Sequence, residues 1–344
     1  MKQNFLFQQL YEDQSSTFTY LLADSNTKEA VLIDTVIETV DRDLKLIEEL
    51  GLKLIYVLDT HIHADHVTGA GEIRKRLGIK TAVPKKANVP CADLNLSEGD
   101  EIKFGEFTIS TLETPGHTDA SLSFYCEDMV FSGDALLIRG TGRTDFQSGS
   151  ASELYDSVHK KLFTLPPSTT LYPAHDYKGF TSSSIAMEIK HNPRVGGGRT
   201  KEQFIQIMSE LKLAYPKKID QALPANFSCG TIGKDLGAEI KYKNISPSEL
   251  QNRLGASLLV DVRENDEYTG ELGHIQGSHL ITLGESLKPF LEGYNRTEEI
   301  VFVCRSGNRS AIASQLAVEL GFEKISNLEG GMLRWNELKF PVKK

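Results

Sequence analysis

The stretch KLIYVLDTHIHADHVTG, residues 53–69, constrains this chain more than any other. Its first half is an apolar run of strand length, rich in β-favouring residues, and reads as a buried strand. Its second half places His61, His63, Asp65 and His66 within a few positions of one another. A buried strand that ends in several groups able to bind a divalent ion has to end at an open sheet edge, where side chains from other strand ends can meet it. Three more residues stand in matching contexts: His117 in ETPGHTDAS, Asp134 closing MVFSGD, and His175 closing TLYPAH. Imidazole nitrogens and carboxylate oxygens suit zinc, iron or manganese. A lone histidine is more often structural than ligating, but this density of ligand types reverses that expectation. His159, His191, His274 and His279 lack such surroundings and read as surface or structural residues.

The rest of the first two thirds supports a mixed α/β layout. FTYLLADSNTKEAVLIDT reads as two strands joined by a polar turn, and DRDLKLIEELG as a helix stopped by Gly51. HVTGAGEIRKRLG places Val67, Ala70, Ile73 and Leu77 on one helical face and ends at Gly78. Strands follow in EIKFGEFTISTLET, SLSFYCE, DMVFSGD and TTLYPAH, many in hairpin-like pairs. Composition shifts at residues 214–243, which are rich in Pro, Gly and Lys and hold no sustained period; they read as a domain end and linker. Beyond them strands and helices alternate cleanly, which predicts a small parallel sheet covered by helices. The expected domains are 1–235, a linker 236–242, and 243–344.

The second domain carries its own chemistry. Cys304 follows the strand EIVFV and precedes the helix SAIASQLAVELG, with Arg305, Ser306, Gly307, Asn308 and Arg309 between or at the turn. A cysteine at such a turn faces backbone N–H groups and the positive end of a helix dipole. Such settings lower a cysteine pKa from about 8.5 to roughly 3.5–7.5 and make a nucleophilic thiolate. The same cradle can bind an oxyanion or stabilise a terminal persulfide. Cys91, Cys126 and Cys229 lack this setting, and four cysteines so widely spaced fit a reducing cytoplasm.

THIHADH is similar to the H-x-H-x-D-H signature of the metallo-β-lactamase superfamily, and the spacing to His117, Asp134 and His175 resembles it too. That resemblance, over roughly residues 1–235, implies an αββα sandwich with metal in a wide cleft at the sheet edges. SGDALLIRGTGRTDFQSG, with HTDAS, PAHDYKG and NPRVGG, resembles the persulfide dioxygenases of the ethylmalonic-encephalopathy type. This implies one ferrous iron per chain on His61, His117 and Asp134, a facial triad with open positions. His63, Asp65, His66 and His175 would then orient ligands or water, or complete a second metal site as in the glyoxalase II thioester hydrolases. Against the latter, residues 200–215 offer only about one helix where those hydrolases have a helical substrate domain. Glutathione, the implied co-substrate, carries carboxylates that Arg139 and Arg143 can clamp, and Tyr177 can add a hydrogen bond. The alternative for each arginine is a salt bridge to a neighbour such as Asp145.

CRSGNR, with LLVDVRENDEY, GHIQGSHLI and LEGGMLRW, resembles the rhodanese sulfurtransferases over residues 243–344. This implies Cys304 as the sulfur-accepting nucleophile, in a loop one residue shorter than that of the related phosphatases. Asp261 and Arg263 are read as structural. The combined expectation is a cytoplasmic bifunctional enzyme. One half oxidises glutathione persulfide with O₂ and water to sulfite and glutathione; the other moves sulfur between thiosulfate or sulfite and glutathione. The alternative is a zinc thioester hydrolase with a non-catalytic docking domain. A net charge of −9 argues against nucleic acid and anionic membranes as partners. No run of about 18 apolar residues appears in the sequence, and the N-terminus lacks a signal-peptide pattern. Oligomeric state stays open, a homo-oligomer included.

Overall fold

A computed structural model of the protein describes residues 3–89, 91–211, 213, 218–230, 242–283 and 286–344. The chain divides into two compact units, Met1–Lys217 with Ser228–Thr231, and Lys218–Phe227 with Ile232–Lys344. The expected linker 236–242 lies outside the described residues except for Tyr242.

In the first unit, β1 (Phe5–Glu12), β2 (Thr17–Asp24), β3 (Glu29–Ile33), β4 (Lys53–Leu58), β5 (Lys80–Pro84) and β6 (Leu94–Leu96) form one sheet in that order. β1 to β3 are antiparallel and β3 to β6 parallel. A second sheet holds β7 (Glu101–Phe104), β8 (Phe107–Glu113), β9 (Leu122–Cys126), β10 (Met129–Phe131), β11 (Thr170–Tyr172) and β12 (Ser183–Ser184). Helices α1 (Val40–Glu49) and α2 (Ala70–Leu77) cover the first sheet; α3 (Ala151–Ser157), α4 (Ile185–His191) and α5 (Lys201–Ser209) cover the second.

The strand period explains the layering. Along β2, Tyr20 and Leu22 enter the core between the sheets, with Phe104, Phe107, Phe124 and Phe131 of the second sheet. Leu21 and Ala23 point the other way, against Val40, Ile47 and Ile73 of α1 and α2. Both faces of β2 are therefore buried, and the unit is the αββα sandwich that the motif implies. Helix α2 begins at Ala70, so Val67 precedes it. Leu77, its last residue before the left-handed Gly78, is 48% exposed and not part of the packed face.

The second unit opens with α6 (Ile219–Phe227), a helix in a stretch that had read as unpatterned. Pro224 within it hides the signal, yet Ile219, Ala222 and Leu223 are buried, and burial outweighs the propensity penalty. Then follow β13 (Lys243–Ile245), α7 (Pro247–Gln251), β14 (Leu258–Asp261), α8 (Asn265–Tyr268), β15 (Ser278–Leu280), α9 (Leu287–Glu292), β16 (Ile300–Val303), α10 (Asn308–Glu319), β17 (Ile325–Leu328) and α11 (Gly331–Glu337). The sheet order is β13-β17-β16-β14-β15, with every pairing parallel. Ile300 and Phe302 face one hydrophobic cluster, Val301 and Val303 the other, so helices cover both sides.

One expectation is corrected. Cys91 and Cys229 form a disulfide across 138 residues, with Cα atoms 6.1 Å apart. A separation of that length leaves no spacing signal, so the sequence alone shows four isolated cysteines.

Candidate functional site: a histidine–aspartate centre and a cysteine loop

Strand ends from both sheets build the first site. His61, His63 and His66 follow β4; His117 follows β8, Asp134 follows β10 and His175 follows β11. Ligand atoms of His61, His117 and Asp134 all lie within 4.8 Å of one another. Two hydrogen-bond chains orient the imidazoles. The Thr60 amide and hydroxyl donate to Asp34 at 2.7 and 2.9 Å. The hydroxyl is thereby left to accept from His61 Nδ1 at 2.9 Å. His117 Nδ1 donates to the Arg143 carbonyl at 2.7 Å. In both rings Nε2 keeps its lone pair for a metal, and the donor set fits a divalent ion.

A second grouping, His63, Asp65 and His66, meets the same 4.8 Å criterion, as does a third of Asp34, Asp59 and His63. His63 Nε2 reaches Asp34 at 3.1 Å, and His66 Nδ1 reaches Asp65 at 2.9 Å. His175 bridges the two groupings: Nδ1 meets Asp134 at 2.7 Å and Nε2 meets Asp65 at 2.9 Å.

The electrostatics follow from burial and these pairs. Burial, with the neighbouring His63 and His117, drives His61 well below its ordinary pKa and keeps it neutral. Burial also works against a charged His175, but the Asp134 and Asp65 carboxylates outweigh it and raise its pKa well above the usual value. Asp134 and Asp65 are correspondingly held below the carboxylate range, chiefly by His175, although burial opposes this. Asp59, buried and close to Asp34, is pushed up to about 7.

Around the centre, Arg139 pairs with the buried Glu188, which also accepts its backbone amide. Arg143 makes two bonds to Asp145, at 2.6 and 2.7 Å, and lies over the Phe146 ring. Tyr177 stacks parallel to His175 with centroids 6.0 Å apart and is 70% exposed. Asp34, Thr60 and Gln147 escaped the sequence reading. Gln147 donates to the Ile62 carbonyl at 2.8 Å, between the two leading histidines. The signal for Asp34 was its place at the end of a strand beside the cluster. The remaining histidines stay apart: His159 bonds the Val195 carbonyl, and His274 the Tyr268 carbonyl.

In the second unit, sheet order reverses direction between β14 and β16, and the loops after these two strands meet there. Cys304 continues the β16 alternation and is fully buried. Its sulfur accepts from the Gly307 amide at 3.1 Å and the Ser310 hydroxyl at 3.3 Å. Gly307 has φ +96°, and a Cβ there would meet the Gly330 amide, so the turn requires glycine. Arg309 forms a bidentate pair with Glu267, at 2.7 and 2.6 Å, nearly closed to solvent. Arg305 and Ser306 are half-buried, and among the described residues the Ser306 hydroxyl oxygen is one of the buried polar atoms without a hydrogen-bond partner. Asp261 and Arg263 form a fully buried ion pair, and Arg263 also holds the Glu267 and Gly273 carbonyls.

Comparison with known proteins accounts for both units. Residues 13–175 match the metallo-beta-lactamase superfamily model, and residues 246–338 the rhodanese-like domain model. The human protein "Persulfide dioxygenase ETHE1, mitochondrial" is 51% identical over 227 residues, covering 65% of this chain and 89% of the relative. The crystal structure of ETHE1 from Myxococcus xanthus is 52% identical, covers 66% of this chain and 100% of that one, and superposes with a TM-score of 0.64. A Staphylococcus aureus metallo-beta-lactamase shares the fold over 96% of this chain and 99% of its own, at 21% identity and a TM-score of 0.61. The chain belongs to the ETHE1-like family of the metallo-β-lactamase superfamily, with a rhodanese domain fused C-terminally.

Proposed function

We propose that the first unit oxidises glutathione persulfide with O₂ and water to sulfite and glutathione, using one ferrous iron on His61, His117 and Asp134. The second unit passes sulfur between thiosulfate or sulfite and glutathione through Cys304. The observation that carries this reading is the convergence of two imidazoles, each with Nδ1 engaged, and one carboxylate. An iron held by these residues would supply one-electron chemistry that zinc does not.

The chain's own residues do the rest. Thr60 and the Arg143 carbonyl fix the tautomers of His61 and His117. His175 holds a proton between Asp134 and Asp65, which neutralises their mutual repulsion. Arg143, whose partner Asp145 is half exposed, can exchange that carboxylate for one of the substrate's. Arg139 is committed to Glu188 and supports the wall instead. Tyr177, at the rim above His175, contacts the thiol's peptide part. In the second unit, the Gly307 amide and the Ser306 and Ser310 hydroxyls receive the incoming sulfur or its oxyanion. We place the enzyme in the cytoplasm with small-molecule partners only; among the described residues no helix is long and apolar enough to cross a membrane. A homo-oligomer is compatible with both activities.

The grouping of His63, Asp65 and His66 favours a second reading, a two-zinc thioester hydrolase whose rhodanese domain only docks. Metal analysis with O₂ uptake on glutathione persulfide separates the two. One iron per chain with uptake is expected; two zincs with thioester hydrolysis and no uptake would overturn the proposal.

A further inference from the structure

Cys91 and Cys229 belong to neither site, yet they join within the metal-binding unit. Cys229 is buried, with a left-handed backbone at φ +54°, and Cys91 is half-buried. The strap 228–230 lies directly on the chain leaving the histidine cluster. A Cβ at Gly71 would run into the Cys229 carbonyl, and one at Gly230 into the Thr68 carbonyl. Thr68 follows His66 closely, and its hydroxyl donates at 3.0 Å to Asp59, which groups with Asp34 and His63. One covalent bond thus pins the strap to the flank of the metal-binding loop. In a reducing compartment such a bond is transient and responsive. A chain that handles persulfides also meets sulfane sulfur, a two-electron oxidant of thiols.

We infer that Cys91 and Cys229 are a dithiol–disulfide pair that a low-mass persulfide closes and a low-mass thiol reopens, clamping the strap when persulfide accumulates. The choice of persulfide rests on the function proposed above. One cysteine thiolate takes the outer sulfur of glutathione persulfide and releases glutathione. The other thiolate attacks the inner sulfur of the resulting cysteine persulfide and expels sulfide. Two cysteine thiols and one glutathione persulfide become one disulfide, one glutathione and one hydrogen sulfide; the cysteine sulfurs are oxidised and the sulfane sulfur is reduced. Two glutathione molecules reopen the bond and leave as glutathione disulfide.

The test uses the reduced, metal-loaded full chain without O₂, so that oxidation at the metal is silent. Treatment with one equivalent of glutathione persulfide should yield a Cys91–Cys229 cross-linked peptide and free sulfide. Peptide mapping separates this bond from a persulfide on Cys304. Hydrogen exchange at residues 68–73 and 228–230 should slow about tenfold on closure in the wild type and stay unchanged in Cys91→Ser. Gly71→Ala presses on the Cys229 carbonyl without altering a thiol and should slow closure by about tenfold, the factor that about 1.4 kcal/mol represents. Retention of both thiols after persulfide treatment, or closure without any change in exchange at residues 68–73, overturns the inference. Absence of aerobic O₂ uptake sinks the proposed oxidation instead, and the anaerobic closure distinguishes the two failures.

Discussion

Asp34 shows how much of a candidate metal site is decided by a residue outside the His61, His117 and Asp134 grouping. Its carboxylate receives the Thr60 amide and hydroxyl and His63 Nε2, while its own backbone sits in the left-handed region at φ +53°. Removing it frees the Thr60 hydroxyl to rotate, and His61 loses the acceptor that fixes its tautomer. Asp34→Ala should therefore lower iron affinity by about 10–100-fold, the usual cost of deleting an outer hydrogen-bond partner. Asp34→Asn, which still accepts from Thr60, should lose less. Competition with a chelator reads both, and equal affinity in all three proteins would sink the argument. Arg143 is the opposite case, a side chain whose proposed role is to exchange Asp145 for a substrate carboxylate. Arg143→Ala should raise KM for glutathione persulfide by roughly ten- to a hundred-fold, from a lost charge-assisted bond of about 1.5–3 kcal/mol. Unchanged kinetics would leave Arg143 as a partner of Asp145 alone. At this scale the ligand-type residues were legible because four of them crowd one strand end and the other three each follow a strand of their own. Asp34, Thr60 and Gln147 were not, because an Asp, a Thr or a Gln beside a strand has many ordinary uses.

Elements set where the loops can meet. In the second unit the switch of sheet direction between β14 and β16 brings Glu267 and Arg309 together beside Cys304. Burial opposes ionisation of Glu267, but the Arg309 guanidinium outweighs it and depresses its pKa. A depressed carboxylate stabilises the fold above its unfolded pKa, about 4.3, and loses that contribution as pH falls through the lower folded value. Stability of this unit should thus begin to decline near pH 4.3 and keep falling below it. Glu267→Gln should flatten that decline and cost about 3–5 kcal/mol at neutral pH, since it takes the bidentate carboxylate away from a buried guanidinium. Fluorescence of Trp335, the chain's single tryptophan, follows the transition. An unaltered pH profile in the variant would remove the pair from the account. The alternating strands and helices here were readable because each apolar run had one period. Strand β1, with adjacent Gln8 and Gln9, and α6, with Pro224, were not: pairing along the whole of β2 decides the first, and burial the second, against their local signal.

At the scale of the whole molecule, the two proposed chemistries fit one chain if one supplies the other. On the proposed reading the second unit makes glutathione persulfide from thiosulfate and glutathione, and fusion would raise its effective concentration for the first unit. Cys304→Ser tests this without disturbing the fold. Serine keeps the side-chain size, and the Gly307 amide and Ser310 hydroxyl still have an oxygen to meet where the sulfur stood. Its hydroxyl is not ionised near neutral pH and cannot carry a persulfide, so the nucleophile is lost at small structural cost. With glutathione persulfide supplied directly, the variant should consume O₂ as the wild type does, because His61, His117 and Asp134 lie in the other unit. With thiosulfate and glutathione as the only sulfur sources, the wild type should consume O₂ and the variant should not. The paired assay isolates the transfer step, since the first arm proves the metal site intact in the same preparation. O₂ uptake by Cys304→Ser from thiosulfate and glutathione would mean that sulfur reaches the iron by another route, and the second unit would then have to be a docking domain.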